Sequence, residues 1–160
     1  MGRADDRQIL IMSGGQTGVD RAALDVALAL GLPTEGWCPA ERRAEDGAIP
    51  DRYPLRETPT RRWSQRTDWN VRDSDATLVL VVGEPTKGTA LTIRRAIARG
   101  KPHLVLDVRD ADSVARARSW LDSTNVRRLN VAGPRESSAP GIQALAAAIL
   151  RAILSEEGPG

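Results

Sequence analysis

The chain has almost no cysteine, histidine or aromatic residues: one Cys, one His, one Tyr, four Trp and no Phe among 160 residues. Each scarcity excludes something. A single cysteine, Cys38, has no intrachain disulfide partner, and with the single histidine, His103, it cannot furnish a zinc cluster. No apolar run approaches the ~20 residues that a membrane helix needs. No charged-then-apolar leader opens the sequence, so the expected location is cytoplasmic, with no membrane partner. An excess of one charge is also lacking: 23 Lys and Arg stand against 21 Asp and Glu, a formal net charge of +2. That balance makes no electrostatic case for nucleic acid, and none is expected as a partner. What is present, 41% hydrophobic and 28% charged residues, is the composition of one folded domain with its own core. That domain is taken as 1–160, with loose termini at 1–7 and 155–160.

The stretch SGGQTGVDRAALDVALALG, Ser13–Gly31, organises the rest. Gln8–Ser13 reads as a buried central strand, because its apolar residues run without alternation. Glycines then turn the chain into a helix whose stripe is Val19, Ala22, Ala23, Val26, Ala27 and Leu30, stopped by Gly31 and Pro33. Thr34–Cys38 is a short second strand. The polar stretch 40–60, punctuated by Pro50, Pro54 and Pro59, is a long excursion with one helical turn around Arg42–Asp46. Its length suits a binding loop and equally an exposed flap.

Beyond it the spacing predicts a helix over Arg61–Arg72, with Trp63, Arg66 and Asn70 at helical intervals, and a buried strand over Ala76–Val82. A helix over Thr89–Arg99 turns Ala90, Ile93, Ala96 and Ile97 inward, and a strand follows at His103–Asp107. A helix over Ala111–Leu121 buries Val114, Ala115 and Leu121, and a fifth strand spans Arg127–Val131. The last helix, Ile142–Leu154, packs on Ile142, Leu145, Ala146, Ile149 and Ile153. Strands alternating with helices predict an α/β fold: a Rossmann-like three-layer α/β/α sandwich around a five-stranded, mainly parallel sheet.

In such sheets ligands sit at the carboxyl ends of the strands, where strand order reverses. Three loops there share glycines with polar side chains: Gly14–Arg21 after the first strand, Gly83–Thr92 after the third and Asn130–Ser137 after the fifth. The first two open onto helix N-termini, where converging N–H groups and the helix dipole favour an anion. The first loop is not a dinucleotide fingerprint, since Ser13 stands where GxGxxG needs its first glycine. The second is not a Walker A loop, because Lys87 precedes Gly88. Asp20 fits either a cap with Thr17 or a site carboxylate, whereas Gln16 has no capping duty. Lys87 can serve the phosphate cradle or be solvated. His103 opens its strand and lies at the wrong end. Cys38 lies at the right end but reads first as a structural thiol. Asp20, Asp73, Glu84 and Glu136 are the available acids, and no pair is spaced as general acid and base.

SGGQTGVDRAALDVALALG, EGWCPAERRAEDGAIPDRYPL, RTDWNVRDSDATLVL, the Gly-Thr loop and LNVAGPRES with PGI together resemble the molybdenum cofactor carrier protein family, from about Ile9 to Leu154. That family is similar to a larger group containing the lonely-guy cytokinin-activating phosphoribohydrolases and lysine decarboxylase-like proteins. The resemblance implies a Rossmann-like homo-oligomer, dimer or tetramer, that binds the molybdenum cofactor, a phosphorylated pterin dithiolene, and protects it or hands it on. The phosphoribohydrolases use an arginine ahead of the third-strand region and a glutamate in PGGxGTxxE. The arginine corresponds to Arg66 and the Gly-Thr to Gly88 and Thr89, but Thr92 stands at the glutamate position, and Glu84-Pro85-Thr86-Lys87 replaces Pro-Gly-Gly. Loss of the acid with retention of the cradle implies a carrier and no catalytic residue. The expected ligand-binding residues are Gly14, Gly15, Gln16, Thr17, Gly18, Asp20, Arg66, Asn70, Asp73, Thr86, Lys87, Gly88, Thr89, Asn130, Gly133, Arg135 and Glu136, with no metal ligand among them. The alternatives are a hydrolase of nucleoside monophosphates or ADP-ribose-like compounds, with Asp20 or Glu84 as its acid, and a nucleotide sensor.

Overall fold

The structure, a computed structural model, describes residues 8–155. The expected loose termini fall outside those residues, Ser155 excepted. Five strands form the central sheet: β1 (Leu10–Met12), β2 (Thr34–Glu35), β7 (Ala76–Val81), β8 (His103–Asp107) and β9 (Arg128–Ala132). Their order is β2-β1-β9-β7-β8 and every pairing is parallel. Helices α1 (Val19–Ala29), α4 (Ser113–Thr124) and α5 (Ile142–Leu154) share a core with Ile11, Leu78, Leu80, Leu106, Leu129 and Val131. Strand side chains alternate between faces, so Met12, Thr77, Val79 and Asn130 point the other way. That second face is covered by α2 (Trp63–Asp73) and α3 (Lys87–Ala98), which pack on each other. The result is the expected three-layer α/β sandwich, with its sheet wholly parallel.

Four details differ from expectation. The second strand is broken. Gly36, at φ 144°, has its Cβ position 2.0 Å from the Ser13 carbonyl oxygen, so the chain crosses against β1 there as only glycine can. After that kink β3 (Trp37–Cys38) leaves the main sheet and pairs in parallel with β6 (Arg56–Glu57). The 40–60 stretch is not structureless. Its 3₁₀ turn lies at Ala40–Arg42, and β4 (Arg43–Ala44) with β5 (Gly47–Ala48) makes an antiparallel hairpin in place of the expected helical turn. Ile49, Tyr53 and Leu55 from this stretch join Leu24, Cys38 and Ala44 in a second buried cluster. Finally, Ile97 is 62% and Leu145 48% exposed, and Ala115 is exposed. On α3 the buried stripe runs through Thr89, Thr92 and Ala96 instead.

Candidate functional site

β1, β9 and β7 are the three adjacent central strands, so the loops that follow them meet at one edge of the sheet. Between these loops and the helices α2 and α3 lies a cavity of about 400 Å³, within the range of small-molecule sites. Its walls include twelve of the residues expected from sequence: Gly14, Gln16, Asp20, Arg66, Asn70, Thr86, Lys87, Gly88, Thr89, Asn130, Gly133 and Arg135.

α3 supplies one end of the cavity. Thr86 is its N-cap, and its Oγ1 accepts the Thr89 N–H at 3.4 Å. The N–H groups of Lys87 and Gly88 have no partner within the helix, as at any helix start. Lys87 and Gly88 are exposed, and the Cβ position of Gly88 is open. Amides and a hydroxyl therefore border a small, positively polarised space, with the exposed Lys87 on its wall.

α1 and α2 supply another part of the wall. Asp20, in the first turn of α1, pairs with Arg66 Nη1 at 3.1 Å, and both side chains are nearly buried. Burial raises the Asp20 carboxyl to about 6, outweighing the lowering by Arg66 and by the Gln16 N–H. The glycine at 14 makes room for this pair, because a Cβ there would stand 2.1 Å from Arg66 Nη1. Asn130, on β9, donates to Thr77 Oγ1 at 3.3 Å.

The other expected residues serve the frame around the cavity. Gly15 and Gly18 hold φ values of 79° and 86°, and the Cβ position of Gly18 lies 2.3 Å from the Pro134 carbonyl oxygen. The loops after β1 and β9 thus touch backbone to backbone. Thr17 accepts the Glu136 N–H at 3.1 Å and donates to Glu45. α1 is capped at Gly18 with no side-chain cap, so the Thr17–Asp20 capping box does not form. Asp73 accepts from Trp37 Nε1 at 2.7 Å and pairs with Arg72, which holds its carboxyl low, to about 2. Glu136 accepts the N–H groups of Gly141 at 2.6 Å and Gln143 at 2.9 Å, at the start of α5. Neither Asp73 nor Glu136 reaches the cavity wall.

Two residues on the wall are also structural. Asn70 accepts the Trp37 N–H at 2.8 Å and donates to the Trp37 carbonyl at 3.0 Å, so its amide acts as a neighbouring strand would. Gln16 Oε1 accepts the N–H groups of Thr17 and Glu45 at 3.0 and 2.9 Å. The sequence assigned Gln16 no such duty, since its second partner lies 29 residues away. Cys38 is fully buried, its thiol pushed up by that burial, and His103 lies at the amino end of β8. Glu84 is exposed and off the wall.

Sequence reasoning missed Trp63, Thr67, Leu91, Thr92, Val131, Ala132, Pro134 and Ser138 as wall residues. The spacing of Trp63, Arg66 and Asn70 on one stripe was the available signal for Trp63. Thr92 was read only as the site of a missing acid; its hydroxyl donates to the Gly88 carbonyl at 3.2 Å. Among the described residues no group of three or more His, Cys, Asp or Glu is placed to hold a metal ion, and no helix is long and apolar enough to cross a membrane.

Residues 11–154 match the family model described as the circularly permutated YpsA SLOG family, cpYpsA. A search of curated proteins finds no match. Among solved structures, the chain is similar to a protein from Syntrophus aciditrophicus SB named "Putative molybdenum carrier protein". The two are 42% identical, with a TM-score of 0.90, over 92% of this chain and 96% of the other.

Proposed function

This chain belongs to the circularly permutated YpsA SLOG family, and from that premise we propose that it is a carrier that holds a phosphorylated small molecule, the molybdenum cofactor, in the cavity at the carboxyl ends of β1, β9 and β7. The observation that carries this reading is the division of the cavity into two chemistries. The α3 start offers amide and hydroxyl donors with Lys87, as a phosphate requires. The rest of the wall offers the Asp20–Arg66 pair and Asn130, which can read the donors and acceptors of a polar heterocycle. The volume of about 400 Å³ suits such a molecule. Thr92, on the wall where the hydrolase glutamate would stand, offers a hydroxyl already donated to Gly88. The name of the 42%-identical structure supports the choice of cargo. As part of the same reading the protein is a homo-oligomer, which light scattering would register as a mass of two or four chains and a monomer mass would contradict.

One observation favours a second reading. A carboxyl at about 6 inside a cavity is poised for proton transfer near neutral pH, which would suit hydrolysis of a nucleotide by Asp20. Calorimetric titration of the protein with the molybdenum cofactor, AMP and ADP-ribose, with each ligand recovered and checked, separates the two. The carrier reading expects tight cofactor binding, intact recovery and weakening by Gly88→Asp, which sets a carboxylate in the open space before the α3 amides. Cleaved nucleotide, with cleavage abolished in Asp20→Asn, would overturn it in favour of the hydrolase. Preferential binding of intact nucleotide would replace the cargo with a nucleotide and make the protein a sensor.

A further inference from the structure

Glu45, at the tip of the β4–β5 hairpin, reaches 92 residues along the chain to the loop after β9. Glu45 is exposed as a residue, its side chain 19% so, and its carboxylate is surrounded by donors. Ser137 gives it both its hydroxyl and its N–H, the latter at 3.2 Å, and Thr17 gives its hydroxyl. Arg135 Nε, which also donates to Ser138 Oγ at 3.3 Å, lies 3.7 Å away. These donors hold the Glu45 carboxyl below its usual range, Ser137 foremost. Hydroxyls, a backbone amide and a guanidinium converging on one point are the donor set proteins use for phosphoryl groups. A carboxylate presents two of the oxygens that a phosphoryl group would present there. The two loops that form the seat meet in close backbone contact, Gly18 lying against Pro134 and Arg135. It also adjoins the cavity, since Pro134, Arg135 and Ser138 line the cavity wall.

We propose that the Thr17–Arg135–Ser137 seat is a second oxyanion subsite, and that Glu45 is its built-in competitor, displaced when a second oxyanionic group of the ligand enters. Only the Glu45 side chain has to leave. The hairpin backbone stays anchored by the Glu45 N–H on Gln16 Oε1 at 2.9 Å and by Asp46 on Arg21 Nη1 at 2.6 Å. The ligand is then an anion with two oxyanionic groups, one at the α3 start and one at this seat. Glu45 acts as a threshold, since a ligand with one such group displaces it only at concentrations well above those that fill the α3 start. This rests on the reading of the cavity as a phosphate-binding site.

The test follows backbone amide resonances of the whole protein during titration with inorganic phosphate, in the wild type, Glu45→Ala and Glu45→Gln. Gly88 and Thr89 report the α3 start and Ser137 reports the seat. In the wild type the Ser137 amide should respond only at phosphate concentrations about tenfold above those that move Gly88 and Thr89. In both variants the Ser137 response should shift down by about tenfold, with Gly88 and Thr89 unchanged. Gln at 45 keeps the shape without the charge, and carries the test if Ala impairs folding. If Ser137 stays silent in the folded variants while Gly88 and Thr89 respond, Glu45 is a fixed structural tie and the proposal fails. If Ser137 responds while Gly88 and Thr89 stay silent, the seat stands and the phosphate site assigned to α3 falls.

Discussion

Burial lifts the Asp20 carboxyl from 3.8 to about 6, although Arg66 lies 3.1 Å away. Between those values the folded protein holds a proton that the unfolded chain has released. Stability from this group is therefore complete at acid pH and lost as pH rises through about 6. Asp20→Asn removes the titration, so between about pH 4 and pH 7 its unfolding free energy should gain about 2 kcal/mol on that of the wild type. Denaturant melts across that range check it; parallel profiles would mean that Asp20 titrates as an ordinary carboxyl. Two glycines separate function from frame at the same scale. A Cβ on Gly14 meets the flexible end of Arg66, whereas one on Gly133 lies 2.3 Å from the Leu80 carbonyl oxygen. Gly14→Ala should stay folded and weaken ligand binding about tenfold by moving Arg66 off Asp20. Gly133→Ala should lose about 2–3 kcal/mol of stability, because backbone cannot step aside. Melting curves and one ligand titration distinguish them.

Helices were legible in the sequence to within a few residues because burial imposes a 3.6-residue period. α5 falls at the expected Ile142–Leu154, and the α1 stripe is buried throughout, with Leu30 partly so. Faces were less legible. Ile97 and Leu145 border their apolar stripes, and composition does not say how wide a stripe the sheet covers. The break at Gly36 was hidden because the strand continues in sequence while its partner changes from β1 to β6. Glu136, expected at the site, holds an element together. Its two oxygens accept the Gly141 and Gln143 N–H groups where α5 begins. Glu136→Ala should cost about 1 kcal/mol, the usual loss of a helix cap, and leave ligand affinity as it was. Affinity falling by tenfold at unchanged stability would return Glu136 to the site.

Across the whole molecule, the sequence could nominate the three loops but not their adjacency. Adjacency comes from β9 inserting between β1 and β7, a pairing made across most of the chain. The 40–60 stretch was hardest to read, because one arginine organises it through carbonyl groups that no side-chain pattern reveals. Arg42 donates to the carbonyls of Ile49, Pro50, Tyr53 and Leu55 at 2.8–3.3 Å. It does so from a left-handed backbone, φ 52°, that a non-glycine residue adopts only when its surroundings enforce it. Arg42→Ala strips a donor from all four carbonyls and should cost about 2–4 kcal/mol. Arg42→Lys should not restore it, because a single ammonium cannot reproduce the planar fork. The second cluster around Tyr53 is separate from the main core, so the loss should fall unevenly. In native-state hydrogen exchange, the Ile49 amide, bonded to the Arg42 carbonyl at 2.7 Å, should lose at least about tenfold more protection than the Leu78 amide of β7. Equal losses at the two amides would show that the stretch and the sheet unfold as one unit. The hairpin that carries Glu45 to its seat would then be as firmly fixed as the sheet beneath it.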